Sequence, residues 1–334
     1  MKRLDAVIVG GGIIGLMSAW RAQQRGLNVL VLERERVGAG ASTVAAGVLA
    51  PEPEADGMGP LSLAAARLWP GIAAQLGDVG FTQCGSLVLS FDGAPQAEGP
   101  WLDAEQCHEL EPGISPECAG AVLLEEDAQV DPRLVVSALA ERLGDAVRTG
   151  ATVVDLDAKA ATLDDGTRIA AERVVLAAGA WSALGLASGL PVKPVKGQVV
   201  RFQGPPPTTR IIQSEGIYVV PRPTGETIVG ATVEEVGFDT TVTDEATAEV
   251  LPPAIRAVPA VADLQLVEAV AGVRPGSADE RPLLGDWDGI LVASGHFRNG
   301  ILLSSVTAEF VGATLAGERP PPETAGFEPR RPQA

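Results

Sequence analysis

Several things are scarce in this chain, and each scarcity closes off a class of function. There are two histidines and three cysteines in 334 residues. Cys84, Cys107 and Cys118 form no C-x-x-C pair, and with His108 and His296 far apart no zinc site is expected, so the metal assignment is none. Odd-numbered, unpatterned thiols fit a reducing cytoplasm better than a disulfide scaffold, and cytoplasmic is the expected location. Basic residues are few: 25 Lys and Arg against 43 Asp and Glu give a net charge of −18. A phosphate backbone would be repelled, so nucleic acid is excluded as a partner. On this background an arginine is expected to serve a local purpose. No uninterrupted apolar run reaches about eighteen residues, so no membrane span is expected. The start, MKRLDAVIVGGG, has the charges of a signal peptide, but Asp5 and the glycines interrupt its apolar stretch. There is a single tyrosine, Tyr218. What is plentiful is apolar surface: at 46% hydrophobic residues the chain can bury a large core, and its length suits about two domains.

The N-terminus carries the clearest local pattern. LDAVIVG (4–10) is β-branched and ends in glycine, which predicts a buried strand. IIGLMSAWRAQQRG (13–26) predicts a helix closed by Gly26, and LNVLVLER (27–34) a second buried strand. Together they form a βαβ unit, and hence a parallel sheet. GAGASTVAAGVLAP (38–51) is a loop of small residues. DPRLVVSALAERLG (131–144) predicts a helix with Asp131 as N-cap, Pro132 at its first position and Gly144 as its stop. ERVVLAAGAW (172–181) is a further buried strand running into a turn. Beyond residue 190 the runs GQVVRFQG, GIYVVPRP, ETIVGATV and LQLVEAVAGVRPG, separated by Pro, Gly and Thr turns, predict a second, antiparallel sheet. Residues 289–317 return to strand, glycine loop and helix, and ERPPPETAGFEPRRPQA reads as a loose Pro-rich tail.

Gly10, Gly12 and Gly15 form G-x-G-x-x-G between strand and helix. The first glycine permits the tight turn, the second lets a pyrophosphate approach backbone, and the third brings helix against strand. Glu33 lies at the end of the next strand, where a carboxylate accepts from ribose hydroxyls. Strand, helix, strand and acid in register predict a dinucleotide site. The small-residue loop 38–51 would let a planar ring lie against backbone, a flexible linker being the alternative; Gly179 in LAAGAW is a second point of close approach, or simply a turn. SGHFRNGILLSS (294–305) sets His296, Phe297, Arg298 and Asn299 between Gly295 and Gly300 and feeds a helix N-terminus. Such a loop suits a negatively charged or hydrogen-bonding group, or else only caps the helix. In GIYVVP alternation sets Tyr218 opposite Ile217 and Val219. In VEAVAGVRPG it sets Arg274 with Val270 and Gly272. The planar fork of Arg274 suits a carboxylate, with an internal salt bridge as the alternative.

The ordered set VIVGGGIIG, STVAAGVLAP, DPRLVV, VVLAAGAWS, VKGQ, YVVPR, GATVE, AGVRPGS, RPLLG and GHFRNGILL resembles the D-amino acid oxidase superfamily of flavoproteins, and within it the glycine oxidase family of thiamin biosynthesis. The likeness covers nearly the whole chain. It implies an α/β fold: a discontinuous Rossmann-like FAD-binding domain (1–77, 131–190 and 288–334) and a mainly antiparallel substrate-binding domain (78–130 and 191–287). It also implies FAD, a small-molecule amine substrate such as glycine, sarcosine or a D-amino acid, oxygen as electron acceptor, hydrogen peroxide as product, and a homotetramer. The flavin should be non-covalent, because no cysteine lies past Cys118. By resemblance FAD contacts fall at Ile13, Ile14, Glu33, Arg34, Ala41, Ser42, Ala46, Gly47, Val48 and Val153, and along His296, Phe297, Arg298, Asn299, Gly300, Ile301 and Leu302. The substrate carboxylate falls to Arg274 and Arg298, with Tyr218 alongside. The sequence departs from the Bacillus-type pattern at Gly216, where a histidine occurs, and at Val233, where a methionine can occur. Two further readings are a flavoprotein subunit passing electrons to a partner and a nicotinamide dehydrogenase, against which the small-residue loop and the last glycine loop argue.

Overall fold

The apolar strand Leu4–Val9 pairs in parallel on both sides, with Val29–Leu32 and with Arg168–Leu176. Its Val7 and Ile8 are wholly buried, as expected of a strand covered on both faces. The computed structural model describes residues 3–51 and 57–331. Ile290–Ser294 extends the sheet in parallel beside Arg168–Leu176, and Val147–Arg148 extends it beside Val29–Leu32. Val153–Asp157 and Ala160–Leu163 add an antiparallel meander onto the long strand.

The helix Ile13–Gln24 returns over this sheet, and Gly26 follows it at φ +78°. The helix Pro132–Leu143 starts as the sequence predicts: the Asp131 carboxylate accepts from the Arg133 N–H at 2.8 Å, and Gly144 ends it at φ +51°. The helix Gly300–Ala316 is buried over most of its length and carries one charge, Glu309, which pairs with Arg21 and Arg25. With its preceding turn, Phe297–Ala316 has the length and apolarity to cross a membrane. Here it packs against Ile13–Gln24 and Gly59–Leu76 in the core, which accounts for that composition.

The second sheet runs in the order Gln265–Gly276, Lys193–Gln203, Glu226–Gly230, Ile217–Pro221, Ile211–Ser214, Ser86–Ser90, Gly120–Leu124, Trp101–Asp103. Its neighbours are antiparallel except Ile211–Ser214 with Ser86–Ser90, which is parallel. One face packs under the helix Asp244–Ala257. The other meets the small-residue loop, with Val44, Ala46 and Val48 against Val199, Val220 and Ile228.

Two expectations need correction, and two helices went unread. Leu283–Trp287, which falls inside the substrate-domain bounds 191–287 that the resemblance implies, is an antiparallel edge strand of the first sheet, beside Ile290–Ser294. The C-terminal segment is not loose through residue 331. Phe327 is 2% exposed, its carbonyl accepts from the Leu284 N–H at 2.7 Å, and Arg331 pairs with Asp279 at 2.8 Å. Residues 332–334 lie outside the described residues, as do Met1 and Lys2. Gly59–Leu76 and Asp244–Ala257 are helices that the sequence reading left unassigned. Pro70 in one and Pro252 with Pro253 in the other mask the helical pattern.

Candidate active site: a cleft between the two sheets

The glycine fingerprint is a packing device first. Gly10 has φ +113°, and a Cβ there would lie 2.4 Å from the Ala177 carbonyl oxygen. A Cβ on Gly15 would lie 2.0 Å from the Gly10 oxygen, so helix and turn touch only because Gly15 lacks a side chain. Gly12 caps the helix without a side-chain bond. The Ile13 N–H donates to Ser42 Oγ at 3.0 Å, which brings the small-residue loop to the positive end of the helix. Glu33 is held by two amides: Gly11 N–H to Oε2 at 2.7 Å and Glu35 N–H to Oε1 at 2.8 Å. Sequence reasoning passed over Gly11, which seats Glu33: a Cβ there would lie 2.8 Å from that of Glu33.

A cavity of about 770 Å³ opens beside this turn and is lined from both sheets. It brings together Gly10, Gly12, Ile13, Ile14, Glu33, Arg34, Ala41, Ser42, Ala46, Gly47, Val48, Val153 and Gly179 with Tyr218, Arg274, His296, Phe297, Arg298, Asn299, Gly300 and Ile301. Gly15 and Leu302 do not line it. Gly15 holds the helix to the turn, and Leu302 is 2% exposed in the core, its carbonyl accepting from Trp69 Nε1 at 2.9 Å. Trp181 was not expected in the lining. It carries the Arg34 guanidinium 5.1 Å from its ring centre and packs on Phe238 at 5.3 Å. The only hint in the sequence was a tryptophan just after the LAAG turn.

At the far end the alternation read from the sequence is realised. Ile217 and Val219 enter the core beneath Asp244–Ala257, and Tyr218 turns the other way to Val44 and Val270. The Tyr218 phenol is pushed up by burial, against the pull of Arg274, Arg201 and Arg298, so it stays protonated as a donor. Arg274 Nη1 donates to the carbonyls of Thr232 at 2.9 Å and Lys196 at 3.3 Å. Among the described residues no carboxylate pairs with Arg274 or Arg298, so an internal salt bridge is not what holds either. Burial lowers the Arg274 pKa; Tyr218 and, more weakly, the Glu234 carboxylate offset this, and Arg298 adds to it. Arg298 is exposed and lies over the Phe297 ring at 5.2 Å.

Gly197 makes room for Arg274: a Cβ there would lie 2.2 Å from the guanidinium carbon. Gly197→Ala is therefore expected to displace the fork and raise KM for a carboxylate substrate about tenfold, with FAD content unchanged; steady-state kinetics beside a flavin assay read both.

His296 plays a supporting part. It is 2% exposed, its Nε2 pairs with Thr307 Oγ1 at 2.9 Å, and burial pushes its pKa down to about 3. The neutral ring ties the glycine turn to the helix it feeds. Asn299 N–H donates to the His296 carbonyl at 2.9 Å, and the helix begins at Gly300 beside the cavity. Two helix N-termini thus meet one cleft. Glycines that a Cβ would fill, an amide-held carboxylate and a wall of small residues fit a flavin dinucleotide.

Comparison with known proteins agrees with this geometry. The family model described as FAD dependent oxidoreductase matches residues 5–314. The chain is 36% identical to the bifunctional protein ThiO/ThiG of Synechocystis sp., over 98% of this chain and 54% of that protein. It therefore spans about half the length of such bifunctional relatives. It is 33% identical to the glycine oxidase of Geobacillus kaustophilus, over 92% of each chain. The crystal structure of glycine oxidase from Geobacillus kaustophilus superposes with a TM-score of 0.91 at 29% identity, covering 100% of both chains.

Proposed function

The chain belongs to the family of FAD-dependent oxidoreductases, and from that premise we propose that it oxidises glycine, with sarcosine and small D-amino acids as further substrates. The products are the imine or its hydrolysis products glyoxylate and ammonia, with hydrogen peroxide, and the reaction serves the thiazole branch of thiamin biosynthesis. The observation that carries this reading is Arg274: a buried guanidinium facing the cavity that the glycine fingerprint lines, bonded to carbonyls and in direct ion pair with no described carboxylate, Glu234 acting on it only from beyond contact. FAD, held by the 10–14 turn, Glu33 and the 41–48 wall, would supply the two-electron acceptor for the amine α-carbon, with oxygen as the terminal oxidant.

The residues of the chain bind and orient. Nη1 of Arg274 is occupied by two carbonyls, which leaves the Nε–Nη2 edge for a carboxylate to engage in two parallel bonds. The Tyr218 hydroxyl donates to the same carboxylate, and Arg298 adds positive charge from the turn. Fixing the carboxylate fixes the α-carbon, and orientation supplies much of the rate. Among the described residues that line the cavity, no titratable group is free to act as a base for the amine. His296 is neutral and engaged by Thr307, Glu33 is engaged by amides, and Glu215 pairs with Arg256. The protein need not position a base if the substrate binds with its amine already neutral.

Since His296 titrates near 3 and Tyr218 above its ordinary value, neither changes charge in the neutral to mildly alkaline range. kcat/KM for glycine is expected to rise about tenfold per pH unit there, following deprotonation of the substrate ammonium. A flat profile, with chemistry limiting, removes the unassisted-amine mechanism. A panel of glycine, sarcosine and D-alanine with peroxide readout tests the substrate assignment. Turnover of none of them, or turnover only with an added electron acceptor, contradicts it.

A further inference from the structure

The small-residue wall of the FAD cleft has no bulky side chains of its own to keep it in shape. The hold comes from the opposite sheet. Arg201, in the strand Lys193–Gln203, is 1% exposed, and its Nη2 donates to the carbonyls of Thr43 at 3.1 Å and Val44 at 3.2 Å. Arg222, just past the strand Ile217–Pro221, donates from Nη2 to the Ala46 carbonyl at 2.9 Å and from Nη1 to the Val130 carbonyl at 2.8 Å. Glu226 balances both guanidinium groups, at 3.1 Å from Arg201 and 2.8 Å from Arg222. Glu268 adds a second carboxylate 3.4 Å from Arg201.

Peptide planarity carries this grip into the cavity. In a trans peptide the N–H points away from the C=O. Tying the Ala46 carbonyl back to Arg222 therefore turns the Gly47 N–H to the other side. Ala46 and Gly47 both line the cleft, and the Gly47 N–H makes no hydrogen bond to another described residue. Gly47 itself cannot be replaced without strain, since it has φ +83° and a Cβ would lie 2.0 Å from the Val130 oxygen. The geometry points to Arg201 and Arg222 as positioning residues for the cofactor: borne on the substrate sheet, they set the 43–47 wall so that its free amide meets bound FAD. On the same face of the same strand, Gly197 seats Arg274, so one strand registers cofactor wall and substrate anchor together. The inference rests on FAD binding and not on which amine is oxidised.

Arg222→Lys and Arg201→Lys test it. Each keeps the positive charge beside Glu226 but replaces a planar fork by a point donor that cannot reach both arms' partners, Val130 and Ala46 for Arg222, and Glu226 and the Thr43 and Val44 carbonyls for Arg201. Titration of FAD into the deflavinated protein is expected to show about tenfold weaker binding for each variant. The visible circular dichroism of the bound flavin is expected to change, while the urea midpoint of the flavin-free protein stays near that of the unaltered chain. Glu226→Gln, which keeps the size and an acceptor, is expected to move affinity and spectrum in the same direction by less, and serves if a lysine variant fails to fold. Unchanged affinity and dichroism overturn the inference. So does a loss of affinity that only tracks a fall in stability, with the flavin spectrum unaltered. Because the readout is FAD itself, a failure of glycine as substrate leaves the test intact.

Discussion

Arg274→Ala is expected to lower kcat/KM for glycine by roughly 30- to 1,000-fold, from the loss of about 2–4 kcal/mol of charged hydrogen bonding to the carboxylate. The side chain is buried, and its Nη1 is already engaged by Thr232 and Lys196, so its remaining donors are pre-aimed and little rotamer freedom is lost on binding. Most of the change should appear in KM and in the inhibition constants of small acids. kcat should also fall, because a carboxylate that is not pinned leaves the α-carbon misplaced. Arg274→Lys should recover part of the binding and less of kcat, since the charge remains but the fork does not. Bound flavin and its spectrum should survive both substitutions. Unchanged KM and unchanged inhibition by acetate would remove Arg274 from the site.

Gly15→Ala is expected to weaken FAD binding by at least about 100-fold and to yield colourless protein. The added methyl would lie 2.0 Å from the Gly10 oxygen and 3.2 Å from its carbonyl carbon. Both are backbone atoms of the turn that forms the site, and neither can swing aside like the end of a flexible side chain. The helix must move off the strand, taking its N-terminus away from the cavity that Gly12, Ile13 and Ile14 line. Gly71→Ala is the matched control: that glycine is also helical, in Gly59–Leu76, and a Cβ there meets nothing within 4 Å. It should bind FAD normally and gain slightly in stability. Equal FAD affinity in the two variants would mean that the close approach at Gly15 does not shape the site.

The parts of this site that could be read from sequence are those that short-range periodicity encodes. Gly10, Gly12, Gly15 and Glu33 lie within one βαβ unit whose geometry is nearly fixed by chain direction. Tyr218 and Arg274 stand out because alternation along a strand assigns faces without knowledge of the partner strand. The rest depends on distant pairing. The bonds from Arg201 to Thr43 and Val44 and from Arg222 to Ala46 join residues 158, 157 and 176 apart in sequence, and no local pattern announces such a contact. Leu302 shows the opposite error. A position carried over from a motif can enter a helix whose turn has already rotated its side chain into the core. The tail was misread for a related reason. Its prolines suggest an open chain, but Phe327 has a pocket to fill and Arg331 a carboxylate to meet. Leu283–Trp287 could not be assigned to its sheet before its partner Ile290–Ser294 was known.

The most direct test of the account is an FAD titration of the purified, flavin-free chain followed by visible absorption. One equivalent of FAD is expected to saturate the protein and give the two-banded spectrum of a bound oxidised flavin, released free by acid precipitation. A chain that stays colourless in excess FAD contradicts the account at its root, because every role assigned to the cleft presumes that the cofactor lies in it.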